Sequence, residues 1–180
     1  MVIKKVVNHT VDVNINIKKV SLLSQNEIRK LRDNILDNMI LSRDHSPWAE
    51  RNESVYWWTR SSERRRDERS REYIFTHPEY VMKAQAVSPN CLFVTYTVNE
   101  KCGVRPAFFC DDLSSIFKIG DKVYIAGERC TVISDTIILC DNIVGYTEFR
   151  KDITAPDATD FSKSDLKVWV REWWKENKDK

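Results

Sequence analysis

Glycine is scarce in this chain. Of 180 residues only Gly103, Gly120, Gly127 and Gly145 are glycine, and no two of them are close. With neither G-x-G-x-x-G nor a phosphate-cradling P-loop, the common nucleotide-binding folds are excluded. Metal-type spacing is missing too. Cys91, Cys102, Cys110, Cys130 and Cys140 are odd in number and contain no C-x-x-C, the short spacing that a structural zinc site needs. His9, His45 and His77 form neither H-x-H nor H-E-x-x-H. No catalytic residue, metal ligand or cofactor is therefore assigned, and the chain reads as a non-enzyme. No apolar run approaches the roughly 18 residues of a membrane helix, and no long apolar stretch follows Lys4 and Lys5 as in a signal peptide. A cytoplasmic protein with reduced core thiols and no membrane partner is expected.

What the chain has is apolar and aromatic. Hydrophobic residues make up 42%, with six Trp, six Tyr and seven Phe, too much for a disordered chain. Its length suits one domain or one domain with a small appendage. Val11, Val13, Ile15 and Ile17 alternate with polar residues, the period of a half-buried strand. A short strand is expected over 19–23. Ser24-x-x-Glu27 then reads as a capping box, and Ile28, Leu31, Ile35 and Met39 predict a helix over about 25–40. Strands are expected at 55–59, 80–87, 91–98 and 104–110. A three-stranded meander follows from 118 to 140, broken at Ala126-Gly127 and Ser134-Asp135. A last helix, with Ser162-x-x-Asp165 as its cap, carries Leu166, Trp169, Val170 and Trp173 on one face. Trp169 and Trp173 are its expected anchors, and Trp174 its rim. Strands and helices do not alternate, so the class is α+β with mostly antiparallel strands and two helices. The break of least continuity, 111–119, divides 1–112 from 113–180, with the second part packed on the same core.

The net charge is only +2, but it is unevenly spread. Residues 60–71, R-S-S-E-R-R-R-D-E-R-S-R, hold six arginines against three acids, and the rest of the chain is near balance. Arg64, Arg65, Arg66, Arg69 and Arg71, with the neighbouring ring of Trp58, form the candidate binding surface. Arginine makes bidentate contacts with phosphate or carboxylate, and aromatic neighbours suit nucleic acid. The competing reading is a solvated loop in which Glu63, Asp67 and Glu68 neutralise the arginines locally.

Three segments then stand out together: V-S-L-L-S-x-x-E at 20–27, Y-W-W-T-R-S at 56–61 and G-V-R-P-A-F at 103–108. They resemble an unannotated domain family of Firmicutes, their phages and other mobile elements. The resemblance implies a C-type-lectin-like fold, like that of formylglycine-generating enzymes and retroelement variable proteins. Residues 130–140 and F-x-K-S-D-L-K-x-W at 161–169 also resemble pieces of that family. Two features depart from it. The S-D-L-K-x-W helix comes last here, and Ser62-Glu63 with the arginine run stands where the family continues R-S-P-G. The family carries no catalytic residues over to this chain.

Arg60 and Arg105 lie within these motif segments. They read as structural arginines that bind backbone carbonyls or pair with an acid such as Glu27, the alternative being ligand contact. Trp57 and Trp58 alternate on one strand, so at least one is core. For lectin-type calcium the candidates are Asp111-Asp112 and Asp141-Asn142, each better read as a turn. The expected function is a non-enzymatic binding protein of a phage or mobile element that blocks a host protein or protein–nucleic-acid complex, in the manner of an anti-CRISPR inhibitor. The alternative is a lectin-type ligand- or receptor-binding domain. No oligomeric state is indicated.

Overall fold

The computed structural model describes residues 2–7, 9–31, 56–62, 82–88, 93–155 and 157–180. In chain order these form β1 (Val2–Val7), β2 (His9–Asn14), β3 (Ile17–Ser21), α1 (Gln25–Leu31), β4 (Trp57–Ser62), β5 (Lys83–Val87) and β6 (Phe93–Thr97). Then come β7 (Lys101–Val104), β8 (Ala107–Cys110), β9 (Lys122–Ile125), β10 (Glu128–Ser134), β11 (Ile137–Cys140) and β12 (Gly145–Glu148). A 3-10 turn (Phe161–Lys163) precedes α2 (Asp165–Asn177). The class is α+β, with two sheets and, among the described residues, two α-helices.

The larger sheet has the order β2-β1-β9-β10-β11-β8-β3 and is antiparallel throughout. Its outer strands β2 and β3 are separated in the chain only by Ile15 and Asn16. Three Cα steps reach at most about 11 Å. Six inter-strand gaps in a flat sheet would span about 29 Å. The sheet must therefore curl until its two edges meet. Phe108, Val123, Ile125, Cys130, Val132, Ile138 and Cys140 form the core inside this curl, with buried Ile15 at the closure.

The smaller sheet has the order β12-β7-β4-β5-β6, with one parallel pairing, β4 on β7. Period-two alternation sends neighbouring residues of one strand into different cores. Trp57 packs with Ile28 of α1 and Leu139 of β11, while Trp58 packs with Ala84, Ala86, Phe149 and Leu166. The last helix spans both sheets: Leu166 and Val170 bury against the core of the smaller one, and Trp173 and Trp174 lie on Phe108 of the curled one.

Several expectations are refined. The 11–17 strand is broken at Ile15–Asn16, because the chain there passes from one sheet edge to the other. The 104–110 strand is divided at Arg105-Pro106 into β7 and β8, which belong to different sheets; Pro106 has no N–H with which to continue a ladder. Between the strands expected at 91–98 and 104–110 the turn is short, at Val98–Glu100, and β7 begins at Lys101. The meander follows its expected turns, and Ala126 and Gly127 both take positive φ there (57° and 79°), as a tight primed hairpin turn demands. The cap of α2 is Ser164, whose Oγ accepts from Lys167 N at 3.0 Å; Ser162 sits in the preceding 3-10 turn. The helix is anchored by Leu166 and Val170, whereas Trp169 and Trp173 are only partly buried. Trp174, expected at the rim, packs on Phe108 as well. The strands of 113–180 enter both sheets: β9–β11 lie between β1 and β8, and β12 adds to β7. The expected helix beyond Leu31 lies outside the described residues.

Candidate anion-binding cleft

The arginines Arg64, Arg65, Arg66, Arg69 and Arg71 lie outside the described residues. Their segment begins just beyond Ser62, the last residue of β4. Glu27, Arg60 and Arg105 are all in view, and all three are fasteners. Ser24 and Glu27 form the expected capping box: Ser24 N donates to Glu27 Oε2 at 2.6 Å and Glu27 N to Ser24 Oγ at 3.2 Å. The other carboxylate oxygen of Glu27 accepts from Arg60 Nη2. Arg60 Nε donates to the Leu22 carbonyl at 3.0 Å. Arg60 thus ties the start of α1 to β4.

Arg105 is 6% exposed. Its Nε donates to the Cys140 carbonyl at 2.8 Å and its Nη2 to that of Asp141. The guanidinium also lies 5.6 Å from the Trp57 ring. Arg105 stands where the chain crosses from β7 to β8, and its acceptors stand where it crosses back from β11 toward β12. One side chain therefore pins both crossings.

Trp58, expected at the binding surface, belongs instead to the core. It is fully buried, and its Nε1 donates to the Thr147 carbonyl at 2.8 Å. The smaller sheet is covered on both faces at β4, so neither Trp57 nor Trp58 reaches solvent. The carboxylates considered for calcium are engaged. Asp141 accepts from Lys122 at 2.9 Å and Arg129 at 2.8 Å. Asp111 pairs with Lys18 and Asn16, and Asp112 closes a turn on Ser114 N. Among the described residues no group of three or more His, Cys, Asp or Glu side chains converges as metal ligands.

A site absent from the sequence reading lies between β3 and the first turns of α2. It is a cavity of about 480 Å³. Four cations line it: Lys19 from β3, Arg60 from β4, and Lys167 and Arg171 from α2. Among the described residues no carboxylate lines it. Lys167 and Arg171 are four apart and share one helix face. Among the described residues Lys19 and Lys167 form no ion pair. Lys19 Nζ sits 5.6 Å above the Phe109 ring, and Lys167 Nζ donates to the Ser162 carbonyl at 3.0 Å. Arg60 keeps Glu27, and the exposed Arg171 meets Glu172 at 3.3 Å, a contact of little strength in water. The walls are apolar, formed by Val20, Val170 and Phe161. Within the sequence, Lys167 and Arg171 were legible as a basic pair on the outer face of α2. Their meeting with Lys19 and Arg60 needs the tertiary fold.

No protein-family model, curated protein or solved structure matches the chain. Among the described residues no helix is long and apolar enough to cross a membrane.

Proposed function

We propose that this protein is a non-enzymatic binder of an anionic macromolecular surface. The carrying observation is the cleft, where four cations and, among the described residues, no carboxylate meet at β3, β4 and α2. The β4 strand that supplies Arg60 leads directly into the arginine segment. Cationic side chains clustered in this way, with Lys19 and Lys167 outside any ion pair among the described residues, attract phosphate or carboxylate groups and speed encounter. On the resemblance drawn from its motifs, the protein belongs to a phage or mobile element, has a C-type-lectin-like fold and blocks a host protein–nucleic-acid complex as a counter-defence inhibitor. In support, the distant W-W-T-R-S and G-V-R-P segments come together: Trp57 of β4 pairs with Gly103 of β7, and Arg105 stacks on Trp57.

The test is affinity capture from the host with the native protein and with the Arg64→Ala/Arg65→Ala/Arg66→Ala variant. Bound protein and nucleic acid are both identified. The native chain should retain a partner that moderate salt elutes, since arginine–phosphate contacts release counterions. The variant should lose that partner at an unchanged melting temperature. Full retention by a folded variant would leave the arginine run as solvated charge and refute its role in binding.

A further inference from the structure

We infer that the cleft between β3 and α2 takes one nucleotide of a single-stranded nucleic acid, with the base against its apolar wall and the phosphate among its cations. The inference rests on the anion-binding reading above and adds the ligand class.

Three observations carry it. The first is chemical pairing within one cavity. A simple anion site would need only the cations, yet Val20, Val170 and Phe161 make an apolar wall beside Lys19, Arg60, Lys167 and Arg171. A nucleotide has these two characters side by side, a flat base and a charged phosphate. The second is size. At about 480 Å³ the cavity falls within the roughly 300–1,000 Å³ typical of small-molecule sites. The third is an unused polar group. Ser21 is 1% exposed and lines the cleft, yet its Oγ has no hydrogen-bond partner. A buried hydroxyl left unbonded carries a free-energy cost. Rotation about its Cα–Cβ bond sacrifices no bond, so the hydroxyl is available to a phosphate oxygen or a base edge.

The aromatic wall is braced. Phe161 lies in the 3-10 turn whose Ser162 N is held by Asp160 at 2.8 Å, and its ring packs 6.2 Å from that of Phe149. A ring fixed in this way is a platform on which a base can stack, and stacking tolerates any base. A duplex keeps its base faces inside the helix and cannot offer one to this wall. A single strand can splay a base outward. Discrimination between single strand and duplex therefore separates nucleotide capture from attraction to charge alone.

The experiment is fluorescence anisotropy with a labelled dT12 and a duplex of equal length. The proteins are the native chain, Phe161→Leu, Lys167→Ala/Arg171→Ala and the triple arginine variant of the preceding section. The native protein should bind dT12 at least about tenfold more tightly than the duplex. Phe161→Leu should weaken dT12 by about fivefold or more, the loss of one stacked base, and leave the duplex unchanged. Lys167→Ala/Arg171→Ala changes two exposed side chains. It should reduce the slope of log affinity against log salt by up to about 0.7 for the single strand, the share of the one phosphate the cleft holds. Equal affinity for dT12 and duplex, or a folded double variant with native affinity and slope, overturns the inference. If dT12 binding is lost only in the triple arginine variant, the cleft is refuted while the anion-binding reading stands. Failure of the native protein to bind either probe refutes nucleotide capture, and partner capture from the host then decides the broader reading separately.

Discussion

Burial at single residues sets the chemistry of the thiols. Cys102, Cys110, Cys130 and Cys140 are free and buried, and Cys91 lies outside the described residues. Burial pushes the Cys102 thiol from an ordinary 9.0 up to about 12, with the nearby charge of Glu100 adding to the rise. Burial likewise raises Cys110 to about 11, helped by Asp111. Cys130 faces Cys140 across β10 and β11 with 3.6 Å between sulfurs, and burial drives it well above its ordinary value. Folded Cys102, Cys110 and Cys130 thus hold their protons where the unfolded thiols release them. The resulting stability is complete below about pH 9 and is lost as the pH rises toward 11–12. The unfolding free energy should fall by about 1.4 kcal/mol per pH unit for each such thiol. Urea midpoints at successive alkaline pH values check this, with Cys102→Ala as the control. An identical slope in that variant would remove Cys102 from the account.

At the scale of elements, α2 is held as much by what the sheet omits as by what it presents. A Cβ placed on Gly145 of β12 would stand 2.5 Å from Cζ2 of Trp169. The missing side chain lets the indole approach the strand closely. Gly145→Ala should force the ring away and destabilise by about 1–3 kcal/mol, the range of overpacked cores. Combining it with Trp169→Leu should recover part of that loss, which a thermal melt of both variants reads directly. A Gly145→Ala protein of native stability would show that the helix floats over β12. Helix periodicity pointed to the correct face of α2. It did not reveal that Leu166 and Val170 are sealed while the tryptophans are half open, because depth depends on the shape of the opposing sheets. The capping box at Ser24 and Glu27 was legible because all of its atoms lie within one turn.

For the whole molecule, closure of the curled sheet is the decisive event. Its outer strands are neighbours in the chain, but the strands that fill the middle, β9 to β11, come more than a hundred residues later. Neither 1–112 nor 113–180 contains a complete sheet. A chain ending at Asp112 should therefore lack a cooperative melt and near-ultraviolet circular dichroism, whereas the full chain shows both. A cooperative transition in that fragment would mean either that β7, β4, β5 and β6 hold together without β12 or that β1, β2, β3 and β8 rearrange into a sheet of their own. The folding of the full chain waits on these distant pairings, which carry a large loop-closure cost.

From the sequence alone came the class, most strand segments, the capping box that starts α1, the buried face of α2 and the role of two arginines. Those properties are local or compositional: alternation, capping spacing and the cost of burying an unpaired guanidinium, which obliges Arg60 and Arg105 to find acceptors. Tertiary structure alone decided three matters. It divided G-V-R-P-A-F-F-C between two sheets at Pro106, moved Trp58 from surface to core, and set Lys19 and Arg60 beside Lys167 and Arg171. Pro106 signals locally that a ladder stops but not that the chain changes sheets; the other two have no local signal, because each depends on which faces are covered by elements far away in the chain. A strand pattern records that a side chain points to one face or the other; only packing determines whether that face meets water.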